Sequence, residues 1–158
     1  MRKFKNNEII QLVNILGSFE DKKLPFKIGY AVAKNLKIFS DEYNIYTKSL
    51  NKLFEEYKDH FIKDDKGNTT VDKHTGIPMV DDNVKEKYVK DINELLLFEV
   101  ELEPYHISEE AFEYDDSDGR YDVLSPKDIY TLMDLLCDGD ADRNKDEAKW
   151  QRKNMNGN

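Results

Sequence analysis

The chain carries a seam of large apolar residues at alternating steps of four and three: Val32, Leu36, Phe39, Tyr43, Tyr46, Leu50, Leu53 and Tyr57. No glycine or proline interrupts residues 31–66. This pattern predicts one long helix with a single sticky stripe, and such a stripe needs a cover, from the same chain or from a partner. Pro25 suits the first turn of that helix, where a missing N–H costs nothing. The helix is expected to reach roughly Ile62. At 1.5 Å per residue it would span on the order of 55 Å, so one end is expected to project.

The flanking elements follow from local signals. A first helix is expected after Asn6 or Asn7, either of which can cap it, and should run to about Leu16. Its residues Ile9, Ile10, Leu12, Val13, Ile15 and Leu16 are apolar around much of the circumference, which predicts burial between other elements. Residues 63–83 change character, with turn signals at Asp65-Lys66-Gly67 and His74-Thr75-Gly76 around short β-prone pieces, Thr69 to Val71 and Ile77 to Val80. They read as a small β-hairpin or mobile loop at the tip of a helical hairpin. A third helix from about Asp82 to Leu97 is expected to turn back along the long one. From Phe98 the period becomes two, with Phe98, Val100 and Leu102 alternating with Glu99, Glu101 and Glu103 until Pro104, which predicts a half-buried strand. A second short strand over Tyr105 to Ile107 would complete a strand unit. The last helix opens at Ser125-Pro126-Lys127-Asp128, a capping box with Asp in place of Glu, and continues to Leu136. The fold class is therefore α+β, mainly α: a long antiparallel helical hairpin, an N-terminal helix, and a short strand unit plus final helix. Residues 1–137 are expected to form one domain, and 138–158 a polar, mobile tail.

Charge is placed unevenly. The chain of 158 residues has a formal net charge of −9, and residues 99–128 alone hold two Lys/Arg against eleven Asp/Glu, which equals the whole excess. A field this concentrated repels nucleic acid locally and favours a basic partner surface. The N-terminal stretch has no long apolar run that would read as a signal peptide, and no segment has the ~20 apolar residues of a membrane span. The single cysteine, Cys137, beside Leu135 and Leu136, reads as a small semi-buried hydrophobe. A cytoplasmic location follows as the expectation.

Motifs for chemistry are weak. Asp138-Gly139-Asp140-Ala141-Asp142 resembles the start of a calcium loop, but Arg143 stands where the turn glycine belongs and Lys149 where the bidentate Glu should be. The carboxylates of Glu113, Asp115, Asp116 and Asp118 have no spacing that defines a ligand set. His60, His74 and His106 form no helical ligand pair and read as surface or loop histidines. Glu55 with Glu56, or Asp64 with Asp65, would serve acid–base work only if a cleft gathered them; on exposed elements such pairs are simply solvated. No metal, cofactor or catalytic residue is therefore assigned, and the chain is read as a non-enzyme. The seam tyrosines read as core. Tyr114 and Tyr121, set among carboxylates, read as contact residues, because aromatic rings supply large interface area at small entropic cost. The candidate partner-binding residues are Glu109, Glu110, Glu113, Tyr114, Asp115, Asp116, Asp118 and Tyr121. Carboxylates and aromatics interleaved in this way can mimic nucleic acid in a basic groove.

In order along the chain, several pieces resemble an uncharacterised family of small proteins encoded by phages and prophages. They are Asn7-Glu8-Ile9-Ile10 with Leu12, Lys23-Leu24-Pro25 ahead of Ala31 and Lys34-Asn35-Leu36, and the turn at Asp65-Lys66-Gly67-Asn68. Asn93-Glu94-Leu95-Leu96 then runs into Glu99-Val100-Glu101-Leu102, and Leu124-Ser125-Pro126 opens the final helix. The resemblance covers residues 5 to about 136. It implies a phage context in a bacterial host and supplies no catalytic residues. The expected function is a phage accessory protein that binds and inhibits a host defence effector, anti-CRISPR-like in action, through its acidic surface. The expected partner is a host protein with a basic surface, such as a nucleic-acid-binding effector, with no direct contact to nucleic acid or membrane. The alternative is a virion or tail-assembly component that self-associates through its long helix. Retention in salt-washed virions at fixed stoichiometry would separate the two.

Overall fold

The structure, a computed structural model, describes residues 1–137. The predicted tail and the partial calcium-loop motif lie outside the described residues. The elements in chain order are β1 (Arg2–Lys5), α1 (Asn6–Gly17), α2 (Phe26–Tyr57), α3 (Lys85–Leu97), β2 (Glu99–Leu102) and α4 (Pro126–Leu136), with single 3-10 turns at Lys58–His60 and Glu109–Phe112. The fold is α+β and mainly α, as the periodicities predict. Contacts group the chain into two compact units. Among the described residues, one comprises 1–13 and 39–102 and the other 14–38 and 103–137.

In the first unit, β1 pairs antiparallel with β2 in the register Arg2↔Leu102, Lys3↔Glu101, Phe4↔Val100 and Lys5↔Glu99. Lysines thus stand opposite glutamates at two successive solvent-facing positions, which favours this register. Phe4, 4 % exposed, packs edge-on against Phe39 of α2, with ring centroids 5.1 Å apart. At the other end Tyr57 of α2 meets Tyr88 of α3 at 4.9 Å and donates its hydroxyl to Asp91 at 2.6 Å. Because β2 follows directly from α3, these two meeting points fix α3 as running back along α2. The second meeting point belongs to a cluster of Tyr57, Val80, Tyr88 and Ile92, flanked by Leu53, Phe54, Phe61, Ile77, Val84 and Leu96.

Residues 61–80 make three extended segments. Their centre is a closed cycle of backbone bonds: Ile62 N–H donates to Met79 O, Met79 N–H to Thr70 O, and Thr70 N–H to Ile62 O, each at 2.9 Å. Two aspartate turns close the connections. Asp64 accepts from Lys66 and Asn68 N–H, and Asp72 from His74 and Thr75 N–H. The following Gly67 and Gly76 take positive φ, +80° and +69°, which only glycine adopts without strain. The expected hairpin is therefore a hydrogen-bonded meander, tied at its base by Asp81 N–H to His60 O.

Three local expectations are corrected. Asn6 does not cap α1; Glu8 reaches back to Lys5 N–H at 2.7 Å and closes the helix start. Asn6 instead joins α1 to the end of α3, donating Nδ2 to Leu95 O and its backbone N–H to Phe98 O. The long helix, expected to reach roughly Ile62, is α-helical to Tyr57 and ends in the 3-10 turn Lys58–His60; Phe61 is then extended, with its ring 6.4 Å from that of Phe54. The strand partner of Glu99–Leu102 is β1, not residues 105–107, of which Ile107 makes only an isolated parallel bridge to Cys137.

In the second unit the buried apolar side chains are those of Leu16, Phe19, Ile28, Ala31, Val32, Leu124, Leu132, Leu136 and Cys137. Helix α4 starts with the predicted capping box: Ser125 Oγ accepts from Asp128 N–H, and Asp128 Oδ2 accepts from Ser125 N–H. All eight seam residues of α2 are buried or half-buried, so the chain itself covers its predicted stripe.

Candidate partner-binding surface

The acidic segment begins and ends on fixed points of the second unit. At its start, Asn35 of α2, 1 % exposed, donates Nδ2 to Tyr105 O at 2.7 Å and accepts Tyr105 N–H at 2.8 Å. At its end, Asp122 donates its N–H to Lys23 O at 2.9 Å and accepts Lys23 N–H at Oδ2 at 2.7 Å. Ile107 N–H adds a bond to Leu136 O at 2.9 Å. Residues 105–122 are thus a loop with both stems clamped, one to the approach and one to the opening turns of α2.

Its interior is ordered by its own polar groups. Ser108 caps the 3-10 turn Glu109–Phe112 by accepting Glu110 N–H. Asp115 accepts Ser117 N–H and Ser117 Oγ–H, and Asp116 accepts Tyr121 N–H at 3.0 Å around Gly119, whose φ is +65°. Tyr114 and Tyr121 stack edge to face with centroids 5.6 Å apart, and the Arg120 guanidinium lies 5.5 Å from the Tyr121 ring.

The eight predicted contact residues therefore fall into two roles. Glu109, Glu110, Glu113 and Asp118 are exposed and their carboxylates have no hydrogen-bond or ion-pair partner among the described residues. Asp115 and Asp116 are committed to backbone turns, and Tyr114 with Tyr121 forms a half-buried ring pair. The wider acidic excess is likewise divided. Glu99 and Glu101 face Lys5 and Lys3, and Asp122 and Asp128 close a clamp and a helix cap.

No family model, curated protein or solved structure matches this chain. Among the described residues no group of three or more His, Cys, Asp or Glu is placed to hold a metal ion, and no helix is long and apolar enough to cross a membrane. His60 lies beside Asp81 at 3.2 Å, Glu55 pairs with Lys58, and His74 and His106 are exposed. Cys137 is buried.

One surface escaped the sequence reading. Phe26 is 80 % exposed, Tyr30 45 % and Tyr105 38 %, and their rings are joined, Phe26 to Tyr30 at 5.7 Å and Tyr30 to Tyr105 at 5.5 Å. The available signal was the spacing of four between Phe26 and Tyr30, out of phase with the buried seam.

Proposed function

We propose that this chain works by binding a protein rather than by catalysis. It is a phage or prophage accessory protein, acting in the bacterial cytoplasm, whose acidic loop occupies a basic, nucleic-acid-facing surface of a host effector. The observation that carries this reading is the clamped loop itself. Both stems are held by paired hydrogen bonds, while Glu109, Glu110, Glu113 and Asp118 are left to solvent. A loop ordered before binding loses little conformational entropy on docking. Free carboxylates on such a frame can take phosphate positions in a basic groove, and the Tyr114–Tyr121 pair adds aromatic contact area. The family resemblance supplies the phage setting.

The test is affinity capture from infected cells, comparing wild type with a Glu109→Lys, Glu110→Lys, Glu113→Lys, Asp118→Lys variant at low and high salt. The expected result is a basic host protein retained by wild type at low salt and lost with the variant or with added salt. A partner held equally by both proteins under both conditions would overturn the reading.

A further inference from the structure

The opening of α2 presents a second surface of the opposite sign. Residues 22–34 contain Lys22, Lys23, Lys27 and Lys34 and no carboxylate, and all four lysines are exposed. Phe26, Tyr30 and Lys34 follow at steps of four and share one helix ridge. The Tyr105 ring, held beside them by the Asn35 clasp, extends the aromatic row off the helix. Phe26 in particular leaves four-fifths of its surface in water. A contiguous exposed aromatic row of this kind marks an interaction site rather than a scattered surface residue.

The same unit carries the acidic loop, and its stems are tied at the two ends of this stripe, by Lys23 and by Asn35. Yet none of the four lysines pairs with Glu109, Glu110, Glu113 or Asp118 among the described residues. The loop and the stripe are complementary in charge and joined at the loop's stems, but these carboxylates and lysines do not pair with each other among the described residues.

We propose that a second copy of this chain docks on the stripe. The acidic loop of each copy lies on the lysine–aromatic row of the other, in a reciprocal two-fold dimer. Two-fold pairing uses each complementary contact twice and closes, whereas a one-way contact would propagate into chains. The aromatic row supplies the desolvated centre of the interface, and the charges set register and encounter rate. The buried heptad seam of α2 plays no part in it. The dimer needs no host protein, so it stands or falls apart from the binding function above; a basic partner would compete with the second copy for the same carboxylates.

The experiment is sedimentation equilibrium of the full chain at low and high salt. Wild type is expected to dimerise, with association weakened about tenfold or more by salt. A Lys27→Glu, Lys34→Glu variant and a Glu109→Lys, Glu110→Lys, Glu113→Lys variant should each be monomeric where wild type is dimeric. An equal mixture of the two should recover the dimer, because each reversed patch then meets an opposite one. Phe26→Ala, at a position too exposed to threaten the fold, should weaken the dimer without changing its salt dependence. A wild type that stays monomeric at every concentration and salt would overturn the proposal, including one that instead binds a single-stranded oligonucleotide through the stripe. So would a dimer that survives both charge reversals, or folded variants that fail to associate when mixed.

Discussion

Asn35 and Tyr105, seventy residues apart in sequence, exchange two hydrogen bonds: Asn35 Nδ2 donates to Tyr105 O and Tyr105 N–H donates to Asn35 Oδ1. A buried side-chain amide thereby does the work of a strand partner for one residue, and a third bond from Nδ2 to Ala31 O at 3.0 Å fixes its rotamer. Asn35→Leu should cost about 1–3 kcal/mol, since it strands the polar groups of Tyr105 while keeping the volume. Asn35→Asp should not rescue it, because the carboxylate keeps the acceptor but faces two carbonyls without a donor. Chemical denaturation of the two variants checks both expectations.

The covered seam makes a folding prediction of moderate size. Fully buried Leu→Ala changes cost about 2–5 kcal/mol each. Leu50 and Leu53 are only half-buried, so the double Ala variant should lose about 2–5 kcal/mol in total, read from its denaturation midpoint. A melt identical to wild type would mean that the α2–α3 pair is not held by this stripe.

Alkaline pH should destabilise the first unit. The Asp91 carboxylate that accepts the Tyr57 hydroxyl proton, with burial adding to it, pushes Tyr57 up to about 12, and burial alone pushes Tyr88 to about 12. The folded state therefore holds these protons more tightly than the unfolded chain. Their contribution is full below the ordinary 10.0 and is lost as pH rises from there through about 12. Tyr57→Phe should make that alkaline decline shallower in pH-dependent denaturation.

Acid should act on the meander. The Thr75 and His74 backbone N–H groups hold the Asp72 carboxyl below its ordinary 3.8. The stabilisation is therefore full above 3.8 and is lost as pH falls through the lowered value. Hydrogen exchange should show the His74 and Thr75 amides opening in that acid range, and in Asp72→Ala at neutral pH, while Ile62, Thr70 and Met79 remain protected by their cycle.

Elements whose signals are local were legible in the sequence. The Ser125–Asp128 capping box, the α2 seam and the alternation in Glu99–Leu102 each need only neighbouring residues. β1 was not legible: Arg2-Lys3-Phe4-Lys5 has one apolar residue, and it is a strand because Val100, Glu99 and Glu101 lie opposite it. Asn6 looked like a cap because asparagine caps helices, but its partner is Leu95, 89 residues away. The acidic segment was visible as composition, whereas its division into free and committed carboxylates was not. Asp122 answers to Lys23, 99 residues distant, and the role of Asp116 depends on the left-handed turn at Gly119.

That division gives the most direct test of the acidic loop as a presented surface. Thermal unfolding and binding to the captured host partner are measured together for the fourfold Lys variant at Glu109, Glu110, Glu113 and Asp118. Stability should change by no more than about 0.5 kcal/mol, as for exposed charges generally, while affinity falls at least about tenfold. A folded variant that binds the partner as tightly as wild type would contradict the loop's role.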